Sequence, residues 1–230
     1  MERPKEKLSF YASDSQREVL MTLISHPSIE ESFFLTGGTA LAAFYLYHRV
    51  SDDLDFFSLD TFDFTKIDLW IRSSWTGSCT KTKEGPNFLS FLIQDTKVEF
   101  VIDPLSNKER RQKMEFENDH SLTIDNISNI FTNKLCTIVS RSEPKDFVDF
   151  FFLAKDYPAF KIDDLYRQAR LKDAIFDDPP TAAFQLEEGL KLIQENPSVL
   201  PEVKRDLDKT EFSEYFEKIV RWIYHKITIE

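Results

Sequence analysis

The sequence predicts an α+β protein in which a mixed α/β lobe, residues 1–125, is followed by a helical lobe, residues 126–230. Residues 97–103 alternate apolar and polar side chains almost perfectly, as a half-buried strand does. After residue 126 apolar side chains recur at helical spacing, and prolines interrupt them. The chain contains neither an internal repeat nor a low-complexity segment, so this division into two lobes is the simplest architecture.

Helices and strands are expected to alternate in the first lobe. Apolar spacing predicts helices over residues 13–24, 39–47 and 64–74. Short apolar or alternating runs predict strands over residues 33–36, 54–59, 76–83, 88–93 and 97–103. Pro27 is expected to end the first helix, and Asp95-Thr96 to form a hairpin turn before the last strand.

The second lobe is expected to contain five helices. Their apolar spacing predicts the bounds 127–139, 144–155, 162–175, 181–193 and 212–227. Pro144 suits the first turn of its helix, because that position does not need a backbone N–H. Phe147, Phe150 and Phe151 recur at helical spacing, so we expect them in the core.

Composition limits the class of protein. Hydrophobic residues make up 41% and charged residues 30% of 230, which is typical of a soluble globular chain. No apolar run approaches the roughly 20 residues of a membrane-spanning helix, and the first residues lack the apolar segment of a secretion signal. Cys79 and Cys136 lack the spacing of a metal or redox pair. We therefore expect a cytoplasmic protein without a membrane segment.

The formal net charge of −11 predicts a surface that repels nucleic acids outside a local basic patch. The best candidate for such a patch consists of Lys108, Arg110, Arg111 and Lys113. Glu109 and Glu115 are interleaved with these cations, so the pattern favours the alternative interpretation, a solvated helix face.

Two of only five glycines, Gly37 and Gly38, are adjacent and lie between a predicted strand and a predicted helix. Glycines in such a turn let backbone N–H groups approach phosphate oxygens, and the start of the helix adds its positive end. Thr39 can donate its hydroxyl to the same phosphates or cap the helix. A diglycine turn alone is often only a turn.

Acidic side chains follow at strand spacing. Asp53 and Asp55 lie two residues apart, so their side chains share one face with backbones about 6.6 Å apart. Glu99, on a neighbouring strand, would complete a set of hard oxygen ligands for Mg²⁺. Taken singly, the aspartates could be a solvated strand end and Glu99 the exposed face of a strand. Two Mg²⁺ ions about 3.5 to 4 Å apart would suffice for nucleotidyl transfer.

Two blocks of sequence resemble a known family. The first comprises Gly37-Gly38-Thr39-Ala40-Leu41, His48-Arg49-Val50-Ser51 and Asp53-Leu54-Asp55-Phe56-Phe57; the second comprises Asn133-Lys134-Leu135, Arg141 and residues 145–153. Together they resemble the motifs of the AbiEii/AbiGii-type nucleotidyltransferases, toxins of bacterial toxin–antitoxin and abortive-infection systems within the DNA polymerase β-like superfamily. The resemblance covers roughly residues 33–155.

This resemblance implies a polymerase β-like nucleotidyltransferase fold, a nucleoside triphosphate donor, Mg²⁺ and a cognate antitoxin. It leaves the acceptor open: tRNA is favoured, whereas a small molecule or a protein hydroxyl is the alternative. A non-catalytic nucleotide-binding or partner-binding module is a second alternative, which three converging carboxylates argue against because they are costly to bring together.

The resemblance also implies roles for single residues. Asp53 and Asp55 would hold the metals, and Glu99 would lie nearest the acceptor hydroxyl. The β and γ phosphates would be held by Gly37, Gly38 and Thr39. Lys134 would neutralise phosphate charge with Asp146 nearby, and Arg49 and Ser51 would brace the acidic strand or contact phosphate. In the alternative, Lys134 is a surface residue, and Asp146 and Asp149 are a helix cap and a partner of Arg141.

Overall fold

The computed structural model describes residues 3–116 and 120–226. The chain divides into two units, Met1–Asn126 and Ile127–Glu230. None of the described helices is both long and apolar enough to cross a lipid bilayer.

A mixed sheet organises the first unit. Its seven strands among the described residues are β1 (Phe34–Thr36), β2 (Asp53–Ser58), β3 (Cys79–Gly85), β4 (Phe88–Ile93), β5 (Thr96–Ile102), β6 (Gln112–Glu115) and β7 (Ser121–Ile124). Their order across the sheet is β3-β4-β5-β2-β1-β7-β6. The β2–β5 and β1–β7 pairs are parallel, and the remaining neighbours are antiparallel.

Four helices belong to this unit: α1 (Asp14–Ile24), α2 (Pro27–Ser32), α3 (Gly37–Ala40) and α4 (Thr65–Ser74). Ser13 caps α1 by accepting a hydrogen bond from the Gln16 backbone N–H. A π-helical segment, Leu41–Leu46, continues α3 directly. The predicted helices of the first lobe are therefore present, and the second of them, predicted over residues 39–47, begins at the diglycine itself.

The second unit is helical in its described part. Its helices are α5 (Ile127–Arg141), α6 (Pro144–Asp156), α7 (Ile162–Arg170), α8 (Pro179–Glu195) and α9 (Lys209–His225). The helix predicted over residues 162–175 ends at Arg170, and a separate 3₁₀ turn, Ala174–Asp177, follows it. The predicted end at Ile227 lies outside the described residues.

Phenylalanine side chains fill the cores of both units. Phe56 and Phe100 stack in the sheet unit with ring centroids 5.3 Å apart. In the helical unit Phe147 and Phe150 are fully buried, and both rings contact Phe216. These contacts confirm that the phenylalanine stripe of α6 is core, as the helical spacing of its aromatic residues predicts.

The hairpin between β4 and β5 differs from its prediction by one residue. It turns at Gln94 and Asp95, which have φ values of 47° and 64°, and Thr96 already pairs with Ile93. Two residues of positive φ form the turn whose twist matches that of the flanking strands. The prediction of Asp95-Thr96 as the turn was therefore wrong.

Prolines begin helices here where the sequence was expected to end or interrupt them. Pro27 opens α2 after α1 has ended at Ile24, and Pro179 opens α8 two residues before its predicted start. The fixed φ of proline and its missing N–H suit the first helical turn. A proline after a helix therefore does not distinguish a stop from a new start.

The last two strands of the sheet were not predicted. β6 and β7 are four residues each and pair antiparallel. The candidate basic patch lies on and just before β6, so its interpretation as a helix face was wrong. Four residues are too few to show a hydrophobic period. The position of β7 in the sheet follows from its pairing with β1.

Candidate active site

Gly37 lies in direct contact with the acidic strand. Its φ of 68° belongs to the left-handed region, which glycine adopts without steric cost. A Cβ atom at this position would lie 2.1 Å from Oδ2 of Asp55. No other residue type could hold both this backbone conformation and this approach, so the glycine allows the Asp55 carboxylate to lie against the start of α3.

Gly38 faces two other residues of the motif. A Cβ atom on Gly38 would lie 2.5 Å from Ser51 Oγ and 2.9 Å from Arg49 Nη2, and both of those side chains are buried. Arg49 Nη1 donates to the Val50 carbonyl at 2.8 Å, and the Ser51 carbonyl accepts from Gln16 Nε2 at 2.9 Å. The predicted roles of Arg49 and Ser51, bracing the acidic strand or contacting phosphate, stay predictions.

Thr39 connects α3 to β2. Its buried hydroxyl donates to the backbone carbonyl of Asp53 at 2.5 Å, and the N-terminal residue flanking the helix is Thr36. The Thr39 hydroxyl therefore does not cap the helix, one of the two roles that the sequence left open. Its contact with phosphate stays a prediction.

The register of two parallel strands places four charged residues on one face of the sheet. Asp53 lies opposite Lys97, and Asp55 lies opposite Glu99. All four are at least partly exposed, whereas the alternate residues of β2 and β5 are buried. Side chains of register partners point to the same side of a sheet, so the two aspartates and Glu99 share what we call the acidic face.

Lys97 supplies the only cation among these four residues. Its Nζ lies 3.0 Å from Glu99 Oε1. Partial burial works against the charged form, but the hydrogen bond to Glu99 and the charges of Glu99, Asp53 and Asp55 outweigh it, so the pKa of Lys97 is raised. Three carboxylates against one ammonium leave the four residues with a net charge of −2.

The donor set of the acidic face fits Mg²⁺. Carboxylate oxygens are the ligands that this ion prefers, and a cation, the Lys97 ammonium, is already bound there. Among residues 3–116 and 120–226, however, no three Asp, Glu, His or Cys side chains are arranged as a finished metal site. The metal-binding role of Asp53, Asp55 and Glu99 therefore stays a prediction.

Lys134 occupies a buried charge cluster within the helical unit. Its Nζ lies 2.6 Å from Asp146 Oδ1 and 2.6 Å from Asp149 Oδ2, and 7% of its side chain is exposed. Arg141 Nη2 lies 2.8 Å from the other oxygen of Asp146. The alternative in which Lys134 is a surface residue was therefore wrong, and Asp146 is the partner of both cations.

Asp146 is held ionised by its two neighbours. Burial acts to raise the pKa of its carboxyl group, but the charges of Lys134 and Arg141 outweigh it, so the pKa lies below its ordinary value. Two cations and two carboxylates make the cluster neutral as a whole. The predicted roles of Lys134 and Asp146 toward a bound nucleotide stay predictions.

Sequence reasoning missed the place of Lys97. It lies two residues before Glu99, so the period of a strand puts both on one face, and this spacing was visible in the sequence. What was not visible is the register that sets Lys97 opposite Asp53, because pairing between distant strands is decided by the whole sheet.

Comparisons with known proteins bear on the family and the fold of this chain. The family model described as nucleotidyl transferase AbiEii toxin, type IV TA system, matches residues 18–220. The crystal structure of JHP933 from Helicobacter pylori is similar, with 21% identity, coverage of 94% of each chain and a TM-score of 0.51. An antigenic nucleotidyltransferase-like protein from Paracoccidioides brasiliensis has 15% identity, coverage of 85% of this chain and 92% of that one, and a TM-score of 0.44. A search of curated proteins gave no match. The predicted α+β nucleotidyltransferase fold is confirmed.

Proposed function

Because the chain belongs to the family of AbiEii nucleotidyl transferase toxins of type IV toxin–antitoxin systems, we propose that it transfers a nucleoside monophosphate to a tRNA. Membership of the family makes the protein a nucleotidyltransferase toxin with a nucleotide substrate and a cognate antitoxin. The acceptor, the metal and the residues that bind them are the proposed parts.

One observation carries the assignment of the site. Asp55 contacts Gly37 on one side and is the register partner of Glu99 on the other, so the diglycine and two acidic strands meet at one point. We propose that the triphosphate binds where α3 begins, with its backbone N–H groups directed at phosphate oxygens. Asp53, Asp55 and Glu99 would hold Mg²⁺, which would neutralise the charge of the phosphates when bound.

The reaction exchanges one phosphorus–oxygen bond for another. The acceptor hydroxyl oxygen bonds to the α-phosphorus, while the bond from that phosphorus to the oxygen of the β-phosphate breaks and pyrophosphate leaves. We assign the hydroxyl proton to Glu99, because the family resemblance implies that this residue lies nearest the acceptor hydroxyl. Asp53 and Asp55 orient the donor from the neighbouring strand.

A tRNA is the proposed acceptor because it ends in a free hydroxyl and shares the cytoplasm with nucleoside triphosphates. Resemblance to the AbiEii/AbiGii type favours the same acceptor. A small molecule or a protein hydroxyl is the alternative, and the experiment below is arranged so that it would detect either one.

The test compares labelling by the purified chain and by three variants. We expect transfer of label from α-³²P nucleotides to total tRNA in the presence of Mg²⁺, and none after chelation. Asp53→Asn and Asp55→Asn keep the shape of each side chain but remove a charge, so each should lower the rate by a factor on the order of 10³. Asp52→Asn is the matched control, since Asp52 is exposed immediately before β2.

Equal labelling by wild type and Asp55→Asn would refute the assigned site. Label that appears in the protein or in an added aminoglycoside, but not in tRNA, would refute the acceptor and leave the reaction class standing. An Asp52→Asn variant as impaired as Asp55→Asn would show that charge near β2, rather than the acidic face itself, controls the rate.

A further inference from the structure

A groove lined by cations lies at the edge of the sheet, away from the acidic face. It has a volume of about 410 Å³, and one wall is formed by the N-terminal segment at Arg3 and Pro4. The other wall is formed by β6 and the residues before it: Arg110, Arg111, Gln112, Lys113 and Met114. We call these seven residues the basic groove. Four of them are cationic and none is acidic.

Three of the four cations of the basic groove, Arg3, Arg110 and Lys113, are exposed to solvent. Within the described part of the chain, Arg3 and Arg110 have no carboxylate within ion-pair distance, and both are exposed. Among the described residues, the ion pair of Lys113 is with Glu115, 4.0 Å away, and both of those side chains are more than half exposed. Exposed pairs at such a distance are weak, so Lys113 can exchange this partner for another anion.

Both walls are held in place by the fold. The N-terminal segment is fixed because Lys5 N donates to the Phe44 carbonyl at 3.2 Å and Tyr47 Oη donates to the Lys5 carbonyl at 2.8 Å. On the other wall, Arg111 Nε lies 2.9 Å from the fully buried Asp125, although that N–H is not aligned for a hydrogen bond.

Arg111 is fixed by two further contacts. Its guanidinium stacks 3.7 Å above the Phe34 ring, and its Nη2 donates to the Asn107 carbonyl at 3.1 Å. It therefore forms the floor of the basic groove, and the exposed Arg110 and Lys113 stand at its rim. A cationic groove with a rigid floor is prepared for an anion before that anion arrives.

The distance to the acidic face decides which anion fits. β6 is separated from β2 by β7 and β1, so three inter-strand spacings of about 4.8 Å put β6 roughly 14 Å from β2, measured across the sheet. A triphosphate bound at the acidic face is too short to fill both places. A polynucleotide whose end lies at the acidic face would pass through both.

We propose that the basic groove binds the phosphodiester backbone of the RNA acceptor, several nucleotides away from the hydroxyl that reacts. This inference rests on the proposed function and names where its acceptor is held. Guanidinium groups match phosphate geometry, and a protein with a net charge of −11 must concentrate its attraction for RNA in one place.

An acidic peptide segment is the other anion that such a groove attracts. Protein interfaces of useful strength contain buried apolar or aromatic anchors at their centre. The basic groove offers only Pro4 and Met114 as apolar side chains, and it contains no aromatic residue. Its chemistry therefore favours a ligand recognised by repeated charge over one recognised by side-chain pockets.

The experiment measures RNA binding without nucleotide, so that it does not depend on the transfer reaction. The variant Arg110→Gln/Lys113→Gln removes two rim charges and leaves Arg111 in place. The matched control, Lys66→Gln/Lys191→Gln, removes two exposed lysines outside the groove. Anisotropy of a labelled tRNA gives the affinity at several salt concentrations, and thermal melting and triphosphate binding check that each variant is folded.

We expect the groove variant to bind tRNA about tenfold more weakly. We expect the slope of log affinity against log salt to become shallower by about 1.4 to 1.8, since each lost phosphate contact removes about 0.7 to 0.9. The control variant should keep the wild-type slope, and both variants should keep wild-type binding of the triphosphate.

Three results would overturn the inference, and they separate it from the proposed function. Equal tRNA binding by the groove variant and wild type would refute the RNA-binding role of the basic groove without contradicting the proposed reaction. If the wild-type protein transfers nucleotides but binds no tRNA, both the RNA-binding role of the basic groove and the proposal of tRNA as the acceptor are refuted. Polyglutamate that competes as strongly as tRNA for the groove would assign it to an acidic protein partner.

Discussion

Two of the regions in which a lysine lies beside carboxylates, the acidic face and the cluster around Lys134, differ in burial and in charge balance. On the acidic face, Lys97 and Glu99 keep 46% and 28% of their side-chain exposure. In the helical unit, Lys134 keeps 7%, and its partners Asp146 and Asp149 keep none. The acidic face has a net charge of −2, whereas the buried cluster is neutral.

This difference separates a place that can bind a cation from a place that stabilises the fold. Carboxylates that lie close together near water repel one another, and an added cation relieves that repulsion. A neutral buried cluster has no surplus charge, and removing one member leaves a partner uncompensated in a low-dielectric interior. The contacts of Lys134 described in its own unit are ion pairs with Asp146 and Asp149, and its predicted action on phosphate stays a prediction.

The largest expected effect tests the buried cluster. Lys134→Met keeps much of the apolar length of the side chain but leaves Asp146 and Asp149 buried without Lys134. We expect it to lower the free energy of unfolding by about 3 to 5 kcal/mol, the cost of breaking a buried ion pair from one side. Urea denaturation, monitored by far-ultraviolet circular dichroism, measures this change in the free energy of unfolding.

The companion variant in this test is Lys97→Met. Because Lys97 is half exposed, its loss should change the free energy of unfolding by less than about 1 kcal/mol. Equal destabilisation by the two variants would contradict the contrast between the regions. A Lys134→Met protein of unchanged stability but without activity would return Lys134 to the role that the sequence predicts.

The second prediction concerns glycines that share a conformation but differ in surroundings. Gly37 and Gly77 have φ values of 68° and 81°, yet only Gly37 has an atom within 4 Å of its missing Cβ. We expect alanine at either position to lower the free energy of unfolding by about 1 to 2 kcal/mol, because a residue with a Cβ atom is strained at a positive φ. Only Gly37→Ala should also displace Asp55, and we expect nucleotide transfer to fall by about 100-fold.

Rates of transfer measured beside melting temperatures separate these two effects. If Gly77→Ala loses as much activity as Gly37→Ala, then global destabilisation explains the loss. If Gly37→Ala is fully active, the contact between the diglycine and the acidic strand has no functional value.

The smallest expected effect concerns the affinity of the acidic face for Mg²⁺. Lys97→Met removes the cation that competes with a metal ion for the carboxylates. We expect the dissociation constant for Mg²⁺, measured by calorimetry without nucleotide, to fall about tenfold, since one unit charge a few ångströms away acts on a divalent ion. Lys66→Met is the control, because Lys66 is exposed on α4 and does not belong to the strands of the acidic face. Weaker Mg²⁺ binding in Lys97→Met would show that Lys97 organises the ligands instead of competing.

Local patterns predicted most of the regular structure. The alternation in β5 and the apolar spacing of α1, α5 and α6 depend on neighbours within a few residues, so the sequence displays them directly. The same short range explains the failures. The turn at Gln94-Asp95 was displaced by one residue, and β6 and β7 were missed because they are short and depend on pairing.

By itself, the sequence determined that a diglycine precedes a pair of strand-spaced aspartates, that a glutamate follows on another strand, and that the chain belongs with nucleotidyltransferases. Only the tertiary structure decided that Asp55 lies against Gly37 and opposite Glu99, that Lys97 joins them, and that Lys134 is neutralised inside a helical unit. The physical reason is range: backbone preferences act over a few residues, whereas register, burial and charge pairing depend on segments far apart in the chain.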